Sequence, residues 1–510
     1  MSSVPLLSLL VFTPWVGALL LVLLRTATPT VSRAISLLFS LSPLALGLFA
    51  VSSFDPAVTG FQFVERHDWI TALNVHYHLG LDGLSLLLVL LTGLVTPAAL
   101  LASWRVTHSA RLFGSLFLLL QGAALGVFLA LDFFHWFLFW ELSLVPAFFL
   151  IKLWGGSGAS RAAYQFVITT IGGSAFLLVG FAALYATTGT LDFTQLASLA
   201  ADGTLAAKLG AGATKFIFLG VLLGLAVKVP LWPFHTWLPP AYAEAPTGAS
   251  MFLTGVMSKM GLYGFLRILW PIFPAQLHDA TSWLLPLALG GVVFGAYAAM
   301  KQTDLKRMVA YSSVNHLSYC LLALFAVSYA TGREGLHAEA ATAALSGTLL
   351  QMFNHGLSAA ALFCCVGILE SRAGGKRGLG DFGGVRTVAP IFAGLCGLSM
   401  FSSLGLPGLN GFVGEFLIFR GVFGLDAGAA TIACLGLLAT AIFLLTFWQR
   451  VFHGPRAGTA VGEFRDVSGV ELAALVPLVA LMLVLGLWPQ LLARLINPLV
   501  TVWAGHLALP

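Results

Sequence analysis

The sequence predicts an all-α polytopic membrane protein of about 14 transmembrane helices, on three observations. Hydrophobic residues make up 59% of the 510 and charged residues only 9%, too little polar surface to cover a soluble globule. Apolar runs of the length a bilayer span needs, about 20 residues, recur from end to end. Two of those runs are interrupted by proline beside a charged side chain, and broken backbone at membrane depth is tolerated only where protein or a water-lined cavity surrounds it.

The runs centre near residues 14, 43, 92, 121, 142, 174, 221, 258, 289, 317, 352, 403, 439 and 481. The first begins at Val4 without the basic front end of a secretory signal, so a retained helix is expected. Lys and Arg between the runs fall 16 on one set of loops, Lys306 and Arg456 among them, and 7 on the alternate set, which includes Arg267 and Arg333. Basic residues favour the cytoplasmic side, so the first set is assigned there, with both termini on the outer, periplasmic side of a bacterial inner membrane. The net charge of +5 sets this topology and carries no nucleic-acid signal.

Between the second and third runs, FQFVERHDWI and LNVHYHLGLD alternate in character, predicting an outer β-hairpin. His76 and His78 have the spacing of two metal ligands but lack a third, so a solvated strand face is expected. The fifth run places Glu141 nine residues beyond Asp132, roughly 14 Å deep. TLDFTQLASLAADGTLAAKLG, after the sixth run, reads as a short amphipathic helix on the outer surface.

The seventh run ends at Lys228, just before Pro230 and Pro233. Each proline lacks an N–H, so the carbonyls of Ala226 and Val229 are expected to be freed. The eighth run carries Lys259 at its centre, and Ser250, Thr254 and Ser258 recur every four residues on one face, able to hold water or to pack against another helix. A lysine at membrane depth costs roughly 2.5–3.5 kcal/mol to insert, which marks both lysines as functional candidates. Glu141 is the expected partner of Lys228.

His316 and His355 lie deep in the tenth and eleventh runs. In the twelfth, Pro407 with Gly405, Gly408, Gly411 and Gly414 interrupts the helix ahead of Glu415, which the sequence places eight residues, about 12 Å, beyond the proline. The seventh and twelfth runs are five apart, and an odd offset inverts the second copy. Residues 111–270 and 279–453 are therefore expected to form two inverted five-helix repeats within a single membrane domain, 1–510. After Trp488 only a short tail is expected.

Glu141, Lys228, Lys259, His316, His355 and Glu415 form a spaced series of titratable groups suited to proton relay. The five cysteines fall in apolar runs with no metal spacing. The Gly-rich segment at 373–384 lacks the flanking strand and helix of a nucleotide site and reads as a cytoplasmic loop.

LGLDGLSLLLVLLTGL, FWELSLVPAFFLIKLWGG, VKVPLWPFHTWLPPAYAEAPTGASMFLTGVMSKMGLYGFLR, DLKRMVAYSSVNHLSY and LPGLNGFVGEF resemble the antiporter-like subunits of proton-pumping NADH:quinone oxidoreductase, respiratory complex I, and within them the subunit M type (mitochondrial subunit 4). The resemblance spans nearly the whole chain. It implies that Glu141 and Lys228 are paired residues of the fifth and seventh helices, that Lys259 is the central lysine of the eighth, and that His316 and His355 continue a hydrated axis. It implies no cofactor on this chain, with NADH, FMN, iron–sulfur clusters and quinone held by partner subunits, and antiporter-like subunits L and N as neighbours. Glutamate rather than lysine at 415 favours the M type over L and N, and the expected short tail argues against L. A subunit of a multisubunit Na+/H+ antiporter or of a membrane-bound hydrogenase, a free-standing secondary transporter, and a purely structural subunit are the alternatives.

Overall fold

The computed structural model describes residues 4–332, 338–455 and 464–506. Arg333 and Arg456, used in the topology count, lie outside the described residues. Helices α1 (Leu6–Leu23) and α2 (Pro29–Ser53) are followed by strands β1 (Gln62–Ile70) and β2 (Val75–Leu81), then α3 (Gly83–Ala102), α4 (Ala110–Leu129), α5 (Phe133–Leu142), α6 (Leu144–Trp154) and α7 (Ala159–Thr188). Next come the short α8 (Phe193–Ala201) and α9 (Thr204–Leu209), then α10 (Ala211–Lys228), α11 (Leu238–Glu244), α12 (Thr247–Phe252), α13 (Ser258–Gly264) and α14 (Trp270–Ile272). The chain continues through α15 (Pro274–Met300), α16 (Leu305–Ala330), α17 (Ala338–Arg372), α18 (Pro390–Ser403), α19 (Asn410–Leu425), α20 (Ala427–Phe452), α21 (Gly469–Leu487) and α22 (Gln490–His506).

Among the described residues, 12 helical segments are long and apolar enough to cross a membrane, α5 and α6 counting together. The other two predicted centres, 258 and 403, fall on segments built of shorter helices, 247–272 and 390–425. Burial sorts the bundle. The apolar windows of α16 and α17 are 94% and 100% buried, whereas that of α2 is 28% buried, so α16 and α17 are the middle of the molecule and α2 its rim.

Aspartates start several helices where the chain turns. Asp82, Asp132, Asp192, Asp304 and Asp426 each accept a backbone N–H from the first turn of the helix that follows, which satisfies donors that the helix cannot pair internally. Ser468 and Glu471 form a capping box at the start of α21.

The predicted hairpin is present: β1 and β2 pair antiparallel, with Asp68 opposite His76 and Arg66 opposite His78. Its histidines divide: His67 is exposed and His76 partly so, as a solvated face requires, but His78 is not. His78 is buried, its Nδ1 2.9 Å from Asp192 Oδ2, and His76 Nδ1 lies 2.9 Å from Asp68 Oδ1. Burial alone would raise the Asp192 carboxyl, but hydrogen bonds from His78, Thr194 and Gln195 hold it down to about 2.

Three other expectations change. Arg267 is not a loop cation: it is buried against Asp82 at 2.5 Å and covers the Phe61 ring at 4.7 Å. Lys306 is also buried, 2.7 Å from Glu370 Oε2. The segment after Trp488 is not a short tail but the 17-residue α22, which packs Leu492, Leu495, Ile496 and Leu499 inward. Composition near a span end does not distinguish a loop cation from one folded back onto a carboxylate; only the partner's position does.

Candidate functional site

Three interrupted helices organise the interior. The first break follows Lys228. The expectation that the Ala226 carbonyl would be freed is corrected: Leu231 N donates to Ala226 O at 2.9 Å, and the indole N–H of Trp237 caps Val227 O at 2.9 Å. A tryptophan ten residues on thus takes the carbonyl that the irregular turn exposes. The second is the segment 247–272, where wide π-helical turns at Leu253–Met257 and Phe265–Leu269 flank α13. Such turns shift side chains off α-helical register and are frequent at functional sites. The third lies between α18 and α19. The helix resumes only at Asn410, so Glu415 sits about 7–8 Å along it, closer to the break than counting from Pro407 suggested.

Lys228 is 2% exposed, and its Nζ lies 4.8 Å from the centre of the Trp140 ring. Neither that ammonium nor Glu141 Oε1 has a hydrogen-bond partner among the described residues. The expected contact between the two is absent: Glu141 acts on Lys228 through space, and the ring of Trp140 touches the ammonium. Cation–π contact of this kind contributes about 2 kcal/mol when desolvated. Trp140 is itself fixed by donating its indole N–H to Ser174 Oγ at 3.0 Å.

Lys259 is fully buried beside the first π turn. Its Nζ donates to Thr254 O at 2.6 Å and to Ser258 Oγ at 3.2 Å, and lies 2.8 Å from Nδ1 of His355. The hydroxyl stripe is used for packing: Ser250 bonds Tyr242 O at 2.7 Å, and Thr254 Oγ1 meets Ser313 Oγ of α16 at 2.8 Å. From His355 the series continues. The His355 and His316 rings are 5.2 Å apart, and His316 Nδ1 lies 3.0 Å from Glu415 Oε1, at ion-pair distance but off the line of a good hydrogen bond. Gln351 donates to the same carboxylate oxygen at 3.2 Å.

Four of the six predicted residues, Lys259, His355, His316 and Glu415, therefore form one buried series across α13, α17, α16 and α19. Glu141 and Lys228 form a separate group at α5 and α10. Close helix approach brings Glu415 in: α17 and α19 meet at Gly347 and Gly414, where an added Cβ would stand 2.5 Å from Ile418 N and Gln351 Oε1. Gly405, at φ +77°, faces the other carboxylate oxygen, which would lie 2.6 Å from its Cβ. Glu415 also borders a cleft of about 440 Å3 lined by Leu404, Phe412, Phe416, Phe419 and Leu437.

Sequence reasoning missed Gln351, Trp140 and the Asn354–Asn410 pair that ties α17 to the start of α19, with Asn354 Nδ2 donating to Asn410 O at 2.7 Å. The signal for Gln351 was present: it precedes His355 by four residues, so both lie on one face of α17. A cavity of about 510 Å3 lies at the end of the bundle where the 373–384 loop folds. There Arg377 joins Glu244 at 2.7 Å and Asp304 at 2.6 Å, so the Gly-rich stretch is a loop that ties helix ends together.

Residues 130–442 match the family model described as NADH:quinone oxidoreductase/Mrp antiporter, TM, and residues 23–131 match NADH-ubiquinone oxidoreductase chain 4, amino terminus. NADH-quinone oxidoreductase subunit M of Rhodobacter capsulatus is 35% identical over 97% of this chain and 95% of that protein. The protein of that name from Mycobacterium tuberculosis is 34% identical over 98% and 94%. A chain of respiratory complex I from Thermus thermophilus superposes with a TM-score of 0.84 at 30% identity, over 98% of this chain and 100% of that one. A chain of the Mrp complex from Dietzia, 21% identical with a TM-score of 0.81 over 99% and 100%, shares the fold. With both family models covering adjoining stretches and relatives matching along almost its whole length, the chain belongs to the NADH:quinone oxidoreductase/Mrp antiporter family of membrane subunits.

Proposed function

We propose that this chain is a proton-translocating membrane subunit of NADH:quinone oxidoreductase, of the M type. The observation that carries the reading is the buried series Lys259–His355–His316–Glu415, with contacts of 2.8 Å and 3.0 Å at its two ends and ring packing in between. A protonated Lys259 can donate to His355 Nδ1. Rotation of an imidazole, or one bridging water, spans the gap to His316, and Glu415 receives the proton at the far end. Charge transfer of this kind needs groups that exist in two protonation states, and all four have them.

Quinone reduction takes place, in this reading, on other subunits, which also carry NADH, FMN and iron–sulfur clusters. Among the described residues, no three His, Cys, Asp or Glu side chains group as metal ligands. We place the chain in a bacterial inner membrane with both termini outside, beside antiporter-like subunits L and N, and read residues 111–270 and 279–453 as inverted repeats. Glu141 and Lys228 belong to the first repeat and Glu415 to the second. The breaks after α10 and after α18 are the corresponding features that support this division.

The test is proton pumping per NADH oxidised by the assembled complex in sealed vesicles, with Glu415→Gln beside Glu415→Asp. The glutamine keeps shape and hydrogen bonding but cannot titrate, whereas aspartate titrates one methylene short. Pumping lost in the first and largely kept in the second is expected; equal pumping in both would leave Glu415 a packing residue.

A further inference from the structure

Lys259 rests on a carbonyl that the π turn before it releases from the helix ladder. In an α-helix the Ser258 N–H would donate four residues back, to Thr254 O. Here it reaches five residues back, to Leu253 O. Thr254 O takes two side-chain donors, Lys259 Nζ at 2.6 Å and Ser258 Oγ at 2.7 Å.

Donors and acceptors around Nζ balance. An ammonium has three N–H donors and no acceptor. Three acceptors face it: Thr254 O, Ser258 Oγ at 3.2 Å and His355 Nδ1 at 2.8 Å. Ser258 commits its own hydroxyl proton to Thr254 O, so toward Nζ its oxygen can only accept. The carbonyl has two lone pairs and both donors use it. Thr254, Ser258 and Lys259 are at most 1% exposed, and a charge buried this completely needs every partner, because unpaired burial is costly.

The three acceptors differ in what they can receive. A peptide carbonyl and an alcohol are far weaker bases than an imidazole, which titrates near about 6.5. Only the N–H aimed at His355 can leave as a proton. When it does, the Nζ–H bond breaks and an Nδ1–H bond forms. The lysine nitrogen keeps the electron pair and accepts from His355, while its bonds to Thr254 O and Ser258 Oγ stay in place. The helix bearing His355 is held close at this point: an added Cβ on Gly255, within the π turn, would stand 3.2 Å from Gly356 O of α17.

We propose that the π turn at Leu253–Met257 and the Ser258 hydroxyl direct the Lys259 proton to His355, with Ser258 as a positioning residue. The proposal rests on the relay reading above. Two of the three N–H groups are held on acceptors that cannot take a proton, and the third is left on the path.

The experiment uses the assembled complex in sealed vesicles, measuring the rate of proton pumping and its ratio in H2O and D2O. Ser258→Ala, Ser258→Thr and Ser250→Ala are compared with Lys259→Arg. Ser250 lies on the same face but bonds Tyr242 O, so its alanine variant controls for loss of a buried hydroxyl. Ser258→Ala is expected to slow pumping by about tenfold or more, the size of one hydrogen bond to a charged group. It should also raise the H2O/D2O ratio, because transfer from a misaligned Nζ becomes limiting. Ser258→Thr, which keeps the hydroxyl, should retain most pumping, and Ser250→Ala should pump normally. If Ser258→Ala fails to assemble, Ser258→Cys, close in size but a weak acceptor, decides. Normal pumping and an unchanged ratio in Ser258→Ala while Lys259→Arg is inactive would overturn the directing role and leave the relay standing. Equal loss in the alanine and threonine variants would make Ser258 a packing residue and overturn that role too. A pumping Lys259→Arg complex would overturn the relay, and the directing role with it.

Discussion

Lys259 Nζ and His355 Nδ1 lie 2.8 Å apart in the fully enclosed centre of the bundle. The ammonium has only donors, so the imidazole nitrogen accepts. A neutral His355 then carries its proton on Nε2, the nitrogen that has no partner among the described residues. The free nitrogen of one relay member is therefore the one available to the next.

Replacing His355 by leucine removes the acceptor and leaves the ammonium with only Thr254 and Ser258. A hydrogen bond to a charged group is worth about 1.5–3 kcal/mol, so a measurable loss of stability and near-complete loss of pumping are expected. Proton uptake in vesicles and thermal unfolding of the purified complex measure the two effects. Unaltered pumping in His355→Leu would remove the histidine from the path.

Lys259→Arg separates charge from titration. Arginine remains protonated, with a pKa above about 12, and so keeps the cation while blocking release of the proton. Pumping should stop even where the complex assembles. A pumping Lys259→Arg complex would show that the residue acts as a fixed charge.

At the other group, Trp140 rather than Glu141 touches Lys228. Trp140→Leu keeps an apolar side chain but removes both the ring face and the hydrogen bond to Ser174. We expect pumping to fall by roughly two- to thirtyfold, from about 0.5–2 kcal/mol of lost cation–π interaction. Glu141→Ala or Lys228→Ala should abolish most pumping. Stoichiometric pumping in all three, with assembly verified on native gels, would detach this group from the function.

On the hairpin, the depressed Asp192 carboxyl gives a pH dependence of definite sign. Its stabilising effect is complete above the unfolded value of about 3.8 and is lost as pH falls toward about 2. Hydrogen exchange of residues 62–81 should therefore be insensitive to this group between roughly pH 5 and 8, well above both values. Asp192→Asn should speed that exchange at neutral pH. Equal exchange in wild type and Asp192→Asn would mean the pair does not hold the hairpin.

The sequence by itself determined that the chain crosses a membrane many times, where the spans centre, that a hairpin follows the second, and which six titratable groups lie at depth. These follow from local quantities: run length, alternation, and the cost of charge in an apolar run. Prolines and glycines located the breaks after Lys228 and before Glu415, because they act on their own backbone. Which charges meet was decided only by tertiary structure. Lys259 joins His355, 96 residues away, and His316 meets Glu415, 99 residues away, because helix packing brings α13, α17, α16 and α19 together. The same packing gave Arg267 to Asp82 and Lys306 to Glu370, and put Trp140 where Glu141 was expected. A side chain's position along its helix can be counted from the sequence, but its partner depends on which face neighbouring helices present, and that is settled only when the bundle closes.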